Sequence, residues 1–163
     1  GVVANSTSSP TGFNYQFGKN VRVLGDVNGD SLNDFIIGPL NENAPRLYFG
    51  KSGGVDFNTS VRLQPGTGSN SSTFGLYSAV AGDFNNDGFN DIFMASKNGI
   101  GTLYFGGTTI DGTPNVTFSQ AYNTSFPCFG ATLSLVGDAD GDGFSDVLAS
   151  ECVLNGGSLY LYR

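Results

Sequence analysis

DFNNDGFND, residues 83–91, is one of three nine-residue stretches with the same pattern. The others are DVNGDSLND at 26–34 and DADGDGFSD at 138–146. Asp occupies positions 1, 5 and 9 of each stretch, and Asp or Asn occupies position 3. The stretches start about 55 residues apart, a period typical of propeller blades or of an array of small β-units. The chain therefore contains an internal repeat.

The sequences around the three acidic stretches repeat as well. A Phe-Gly pair and an apolar stretch ending in Gly-Asp precede each one, and a short apolar run and an aromatic segment follow it. The Phe-Gly pairs are Phe17-Gly18, Phe74-Gly75 and Phe129-Gly130. Runs of this length and composition predict short strands. A fourth, more variable strand is predicted at 60–64 and at 115–120, so each unit has strands A to D, with the acidic loop joining A to B.

We therefore predict an all-β fold of three tandem four-stranded antiparallel blades, an incomplete or open β-propeller. The predicted parts are a D-type strand with a Ser/Thr-rich linker at 1–16, blade 1 at 17–73, blade 2 at 74–128 and blade 3 at 129–163. Blade 3 lacks its own fourth strand. GVVA at 1–4 is the D-type strand, and it is predicted to complete blade 3 of a neighbouring copy. The alternative is a disordered N-terminal tail.

Composition limits the possible functions. The chain has 163 residues, 39% of them hydrophobic, a net charge of −7 and only seven Lys and Arg, which argues against nucleic-acid binding. No apolar run approaches the length of a membrane span. Because the chain starts with GVVANSTSSP, without Met or a leader, we expect a mature or excised segment. The absence of His removes the usual nucleophile systems and metal-hydrolase ligands, so we predict that the protein is not an enzyme.

The acidic stretches predict metal loops. Alternate Asp and Asn side chains around a turn supply the oxygens that Ca²⁺ prefers, with a backbone carbonyl at position 7. The candidate ligands are Asp26, Asn28, Asp30, Leu32 and Asp34; Asp83, Asn85, Asp87, Phe89 and Asp91; and Asp138, Asp140, Asp142, Phe144 and Asp146. Up to three Ca²⁺ ions, one per blade, would bring the net charge of −7 to about −1. Mg²⁺ is the less favoured ion, and a solvated acidic turn is the alternative without metal.

The three loops differ in ways that affect affinity. Position 6 requires a sharp turn, which Gly88 and Gly143 supply at little cost, whereas the first loop has Ser31 there. We expect the first site to be strained and weaker. The third loop, with four carboxylates against three in the others, is expected to bind most tightly.

Phe-Gly, a strand, the acidic loop, an apolar strand and Gly-Pro in this order resemble the FG-GAP repeat of integrin α-subunit β-propellers. The first repeat has IIGP at 36–39, whereas the other two have MAS and LAS where the GAP element stands. The resemblance covers nearly the whole chain. It implies propeller blades in which Ca²⁺ stiffens the A–B hairpin without catalysis, in an extracellular protein. Integrin propellers have seven blades, whereas this chain has three.

Further features suit an extracellular protein. Asn-x-Ser/Thr sequons occur at Asn5, Asn58, Asn70, Asn115 and Asn123, all in the D strands and D-to-A connections. They predict N-linked glycans on one rim, although polar loops produce such sequons by composition alone. Cys128 precedes strand A and Cys152 follows strand B, which brings them together in an antiparallel hairpin and predicts a disulfide; two free buried thiols are the alternative.

Two functions remain. The first is a calcium-stabilised, glycosylated, secreted or cell-surface module with a structural or adhesive role, assembling head to tail, with a filament as one form. The second is a module that binds a protein or carbohydrate ligand. The absence of Trp weakens the carbohydrate case, although exposed Tyr such as Tyr77 or Tyr122 would serve. A glycosidase is a distant third because nearly all acids lie in the metal loops.

Overall fold

Antiparallel strands form the regular structure of this protein. A computed structural model describes residues 18, 20–38, 44–69, 74–75, 79–96, 98–119, 129–130, 132–153 and 156–163, apart from the side chains of 152 and 153. These residues contain thirteen strands and no helix. Within the same ranges, therefore, no helix is long and apolar enough to cross a bilayer. The predicted all-β class is confirmed.

The first sheet has four strands in the order β1-β2-β3-β6, each antiparallel to its neighbour. Its strands are β1 (Asn20–Gly25), β2 (Asp34–Gly38), β3 (Arg46–Tyr48) and β6 (Val61–Arg62). A separate hairpin, β4 (Gly50–Lys51) with β5 (Gly54–Val55), lies between β3 and β6 in the chain. The four predicted strands A to D are β1, β2, β3 and β6.

The second sheet repeats this arrangement, with the order β10-β9-β8-β7. Its strands are β7 (Ala79–Gly82), β8 (Asp91–Ser96), β9 (Ile100–Tyr104) and β10 (Val116–Ser119). The third sheet has the order β11-β12-β13. Its strands are β11 (Leu133–Gly137), β12 (Asp146–Val153) and β13 (Gly156–Tyr162). Two four-stranded sheets and a three-stranded one match the predicted blades.

Two hydrophobic clusters join the sheets face to face. At the first junction, Ile36 and Leu47 of the first sheet pack with Ile92 and Met94 of the second, and all four are at most 1% exposed. At the second junction, Phe93 and Ala95 pack with Val147 and Ala149 of the third sheet. Because side chains alternate along a strand, neighbouring residues of β8 serve opposite junctions, which explains why the whole of β8 is buried.

The Phe-Gly pairs have a packing role at these junctions. Phe74 and Phe129 are buried at 0% and 1% exposure, in the first and second clusters respectively. The following glycines, Gly75 and Gly130, have φ angles of 69° and 67°, which favour glycine. A Cβ on Gly130 would lie 2.3 Å from the Cβ of Ala95 in the preceding sheet. The glycine therefore permits the close approach of one sheet to the next.

The sheets differ at the ends of their first strands. β1 and β11 have register shifts between Val23 and Gly25 and between Leu135 and Gly137, whereas β7 pairs regularly with β8. Three residues separate Ala79, which pairs with Met94, from the acidic loop, whereas four separate Val21, which pairs with the equivalent Ile37, from its loop. This difference was not predicted from the sequence.

Several predictions concern residues outside the described ranges. These are the N-terminal strand and linker at 1–16, Phe17, Tyr77, Tyr122, Cys128 and the sequons at Asn5, Asn70 and Asn123. Cys152 is described by its backbone, which pairs with Gly157 in the third sheet. The blade boundaries, the disulfide and the N-terminal strand stay predictions.

Candidate functional site: three acidic loops

Each acidic stretch forms the connection between the first two strands of a sheet. The loops join β1 to β2, β7 to β8 and β11 to β12, at equivalent places in the three sheets. Loop 1 is defined here as residues 26–34, loop 2 as 83–91 and loop 3 as 138–146. All fifteen sequence-predicted ligand residues therefore lie in three equivalent loops.

The carboxylate at position 1 of each loop accepts hydrogen bonds from the loop backbone. In loop 2, Oδ1 of Asp83 accepts from the amide of Asp87 at 3.0 Å, and Oδ2 accepts from Gly88 at 2.9 Å. In loop 3, Oδ2 of Asp138 accepts from Gly143 at 2.9 Å. Asp26 makes the corresponding bond to Ser31 at 2.7 Å. The chain is thus wound around the first carboxylate in all three loops.

The position-5 carboxylate accepts hydrogen bonds from groups in the middle of each loop. Oδ1 of Asp87 accepts from the amide of Phe89 at 2.9 Å, and Oδ2 accepts from the side-chain amide of Asn85 at 2.8 Å. Asp30 has the same partners in loop 1, Leu32 at 2.8 Å and Asn28 at 3.1 Å. The side chains at positions 3 and 5 are therefore in contact in loops 1 and 2.

The carboxylate at position 9 is buried and links the loop to the sheet. Asp34 and Asp91 are each 0% exposed. Oδ2 of Asp91 accepts from the amide of Phe84 at 2.8 Å, and Oδ1 accepts from Gly106, beyond the third strand, at 2.8 Å. In loop 1, Oδ1 of Asp34 accepts from the amide of Gly50 at 2.9 Å. The position-9 carboxylate therefore attaches the loop to the segment that follows the third strand of the same sheet.

The glycine amides that complete this network were missed in the sequence analysis. A Cβ at Gly50 would lie 2.5 Å from the carbonyl oxygen of Asn33, and a Cβ at Gly106 would lie 2.4 Å from that of Asn90. Only glycine fits so close to the backbone. The sequence does mark these glycines, because each is the final residue of a repeated segment, RLYFG at 46–50 and TLYFG at 102–106.

Burial changes the titration of the position-9 carboxylates. Desolvation is the largest effect and raises the pKa of Asp34 and Asp91, although their backbone amide partners oppose it. Repulsion from the acids at positions 5 and 1 raises the pKa further in both loops. For Asp26, desolvation also acts upward, but several backbone amides together outweigh it and lower the pKa. A bound cation would favour the charged form of every one of these groups.

Backbone strain distinguishes the loops at positions 4 and 6. At position 6, Ser31 has a φ of 68°, where Gly88 and Gly143 have 91° and 95°. The expectation that loop 1 is strained at Ser31 is supported by this angle. Position 4 also has positive φ, at 57° for Asn86, a requirement that was not predicted. Gly29 and Gly141 occupy the equivalent position in the other loops.

Replacing Ser31 with Gly should stabilise the protein. Because glycine reaches this φ without steric cost, the free energy of unfolding should rise by about 0.5–1 kcal/mol. Urea unfolding in EGTA measures the change. The matched control is Gly88→Ser, which introduces the same strain into loop 2 and should lower the stability by a similar amount. Destabilisation by Ser31→Gly would contradict this account.

Successive loops are hydrogen bonded to each other. The amide of Asn90, at position 8 of loop 2, donates to the carbonyl of Asp26, at position 1 of loop 1, at 3.3 Å. The amide of Ser145, at position 8 of loop 3, donates to the carbonyl of Asp83 at 2.9 Å. The three loops therefore form a row along one end of the sheets.

Loop 3 has the strongest concentration of carboxylates. One oxygen each of Asp138, Asp140 and Asp146 lies within 4.8 Å of the others. Asp146 is 0% exposed, and its Oδ1 has no hydrogen-bond partner among the described residues. Arg163 contacts Asp140 at 3.2 Å. Converging oxygens with a buried acceptor fit a cation better than an ordinary solvated turn.

Comparison with known proteins agrees with this repeat. Residues 26–94 and 83–149 match the FG-GAP-like repeat family, and these ranges together cover most of the chain. The chain belongs to the FG-GAP-like repeat family. Each matched range begins at the first Asp of an acidic loop, so the loops lie at equivalent points of the family repeat.

Two curated relatives of this FG-GAP-like chain come from Xenopus laevis. Integrin alpha-5 is 26% identical over 144 residues, which are 80% of this chain and 13% of the relative. Integrin alpha-4 is 31% identical over 137 residues, which are 75% of this chain and 13% of the relative. The chain thus corresponds to a small part of these relatives. The resemblance inferred from the acidic loops and their flanks is confirmed.

Proposed function

We propose that each acidic loop binds one Ca²⁺ ion and that the ions stabilise the row of loops. The side chains at positions 1, 3, 5 and 9 and the carbonyl at position 7 are the ligands: Asp26, Asn28, Asp30, Leu32 and Asp34; Asp83, Asn85, Asp87, Phe89 and Asp91; and Asp138, Asp140, Asp142, Phe144 and Asp146. The observation that carries the proposal is the same winding of all three loops around their first carboxylate.

The buried ninth carboxylate favours a metal over a solvated turn. Asp34, Asp91 and Asp146 are all 0% exposed, and at Asp34 and Asp91 the cost of desolvating the charge exceeds what the backbone amide partners offset. A divalent cation offsets that cost and the repulsion among the loop acids. Ca²⁺ accepts six to eight oxygens in flexible geometry, whereas Mg²⁺ requires a near-octahedral set and retains several waters. Five protein donors per loop, one of them a carbonyl, suit Ca²⁺.

Calorimetric titration should detect three Ca²⁺ ions per chain. The variants Asp30→Ala, Asp87→Ala and Asp142→Ala each remove the exposed ligand at position 5 and should lower this number by one. Asp111→Ala is the control because Asp111 is an exposed acid outside the loops, and it should leave the number unchanged. An unaltered stoichiometry in all three loop variants would rule out the assignment.

The function best supported is a structural or adhesive module of an extracellular protein. The FG-GAP-like repeats and the integrin relatives support this assignment, and the proposed role of the ions is to stiffen the hairpins without catalysis. Asn58 and Asn115, the two described sequon residues, are exposed, as N-linked glycosylation requires. Binding of a protein ligand is the second candidate, and it rests on the integrin relatives alone.

Head-to-tail assembly is also part of the proposal. Leu47 of the first sheet is 0% exposed at the first junction, whereas the equivalent Leu161 of the third sheet is 48% exposed. On the outer face of the first sheet, Val23 is 61% exposed. The two end faces thus expose residues that the internal junctions bury, and a second copy would cover them.

Sedimentation velocity tests this assembly. The protein should sediment as oligomers at micromolar concentration, and Val23→Glu or Leu161→Glu, on opposite end faces, should each yield monomers. Deletion of residues 1–9 should have the same effect if the N-terminal strand completes a neighbouring third sheet. Thr108→Glu, an exposed position outside both end faces, is the control. Monomers at every concentration, or oligomers unaffected by these changes, would refute head-to-tail assembly.

A further inference from the structure

Loop 1 is bound from outside by residues of loop 2 and of the segment that follows β9. The amide of Asn90 in loop 2 donates to the carbonyl of Asp26 at 3.3 Å, and the amide of Gly107 donates to the carbonyl of Val27 at 2.8 Å. Asp26 is the first candidate ligand of loop 1, and Val27 is 0% exposed. The backbone at the start of loop 1 is therefore fixed by two donors from the neighbouring unit.

The side chain of Asn90 adds a third bond between the same two units. Its Nδ2 donates to the carbonyl of Leu24 at 3.0 Å. Leu24 lies in the irregularity of β1 between Val23 and Gly25, where it has no partner in the ladder to β2. A Cβ on Gly25 would lie 2.3 Å from Nδ2 of Asn90, so this amide packs directly against the end of β1. Asn90 therefore supplies the donor that the ladder does not.

Phe89, the residue before Asn90, covers the middle of loop 1. A Cβ on Gly29, at position 4 of loop 1, would lie 2.5 Å from Cε1 of Phe89. The amide of Gly29 donates to Oδ1 of Asp26 at 2.6 Å, so the ring lies on backbone that winds around the first carboxylate. The carbonyl of Phe89 is the candidate position-7 ligand of loop 2. One residue therefore contributes to both loops.

Consecutive hydrogen bonds also join the buried ninth carboxylates of the two loops. Oδ1 of Asp91 accepts from the amide of Gly106 at 2.8 Å, and the next amide, that of Gly107, donates to the carbonyl of Val27. The amide of Val27 donates to Oδ2 of Asp34 at 2.9 Å. Asp91 and Asp34 are therefore connected through main-chain groups alone.

These contacts link the conformation of one loop to that of the other. An empty loop holds its acids close together, and their repulsion opposes the wound form, which a cation favours. Residues 89–91 belong to loop 2, so an ion that fixes loop 2 also fixes the groups that contact loop 1. Loop 1 is then already wound when its own ion binds, and less of the binding free energy is used to order it.

We propose that Asn90 is a positioning residue of the loop 1 site and that Ca²⁺ at loop 2 increases the affinity of loop 1 for Ca²⁺. This inference rests on the calcium assignment proposed above. Loop 1 has the backbone strain at Ser31, which support from loop 2 offsets. At position 8 of loop 3 the residue is Ser145, whose shorter side chain has no amide. We therefore expect weaker coupling between loops 2 and 3.

A calcium titration followed by NMR tests the coupling. The amides of Ser31, Gly88 and Gly143 each donate to the first carboxylate of their own loop, so their chemical shifts report the three sites separately. In the full 163-residue chain, Asp87→Ala removes an exposed ligand of loop 2. It should raise the calcium midpoint of the Ser31 signal by about fivefold or more, whereas Asp142→Ala in loop 3 should change it less than about twofold.

Substitution of Asn90 tests its positioning role. Asn90→Ala keeps the backbone bond to loop 1 but removes the side-chain bond to Leu24. The calcium midpoint of the Ser31 signal should rise about threefold, and Asp87→Ala should then raise it less than in the parent chain, because the two changes act on one contact.

Two further variants serve as controls. Asn33→Ala removes the same side chain at position 8 of loop 1, where it is exposed, and should leave the effect of Asp87→Ala unchanged. Asn90→Ser introduces the residue that loop 3 has at this position, and it should raise the Ser31 midpoint as Asn90→Ala does.

The outcomes separate this inference from the calcium assignment. If none of the three amide signals responds to Ca²⁺, both proposals fail. If all three respond but Asp87→Ala and Asp142→Ala change the Ser31 midpoint equally, the coupling alone is overturned. A lower melting temperature of Asn90→Ala in EGTA with an unchanged Ser31 midpoint would show that Asn90 has only a structural role, and would overturn its positioning role.

Discussion

Calcium should raise the melting temperature of this protein by on the order of 20 °C relative to EGTA. A ligand that binds only the folded state contributes about 2.7 kcal/mol at 100 times its Kd, so three sites contribute about 8 kcal/mol. Extracellular calcium modules often have a Kd of about 10⁻⁴–10⁻³ M, so about 10 mM Ca²⁺ reaches 100 times Kd at the tighter end of that range. For a chain of this size, each kcal/mol corresponds to about 2–4 °C.

Differential scanning calorimetry with and without EGTA measures this shift. Mg²⁺ at the same concentration is the control for ionic strength and for divalent charge, and it should produce a much smaller increase. Chloride is balanced between samples. A melting temperature that is the same in EGTA and in Ca²⁺ would contradict the proposed role of the ions.

Asp91→Ala should destabilise the protein strongly even without metal. Its two carboxylate oxygens accept from the amides of Phe84 and Gly106, and the residue is 0% exposed. Each buried amide left unpaired costs about 1–3 kcal/mol, so the free energy of unfolding in EGTA should fall by about 3 kcal/mol. Urea denaturation provides the measurement.

Asp87→Ala is the matched variant in the same loop. Asp87 is exposed and its side-chain bonds stay within the loop, so its loss in EGTA should cost less than about 1 kcal/mol. Both variants should lose calcium binding at loop 2. The pair therefore separates the structural role of the ninth acid from metal binding. Equal destabilisation in EGTA would mean that Asp91 does not anchor the loop as described.

The periodic parts of the fold were predictable because they are local. Each strand is a short apolar run beside a loop with a fixed pattern, and each loop connects neighbouring antiparallel strands. The candidate ligand residues were predicted in the same way, from the alternation of acidic residues across a short turn. The positive φ at position 4 of the loop was not predicted because the residue types there differ. Two loops have glycine at this position, and loop 2 has Asn86.

Features that depend on contact between units were not predictable from one unit. The bond from Asn90 to Asp26 joins loops far apart in the chain, and the bond from Gly106 to Asp91 joins a loop to the end of another strand. Neither hydrogen bond is indicated by a repeating pattern in the sequence.

The sequence by itself determined the all-β class, the threefold repeat and the positions of the acidic loops, because these follow from short-range patterns of apolar and acidic residues. Only the tertiary structure decided which carboxylates are buried and how one loop bonds to the next. Those properties depend on the desolvation and the hydrogen-bond donors that packed sheets provide. At Asp34 and Asp91, packing supplies the amides of Gly50 and Gly106.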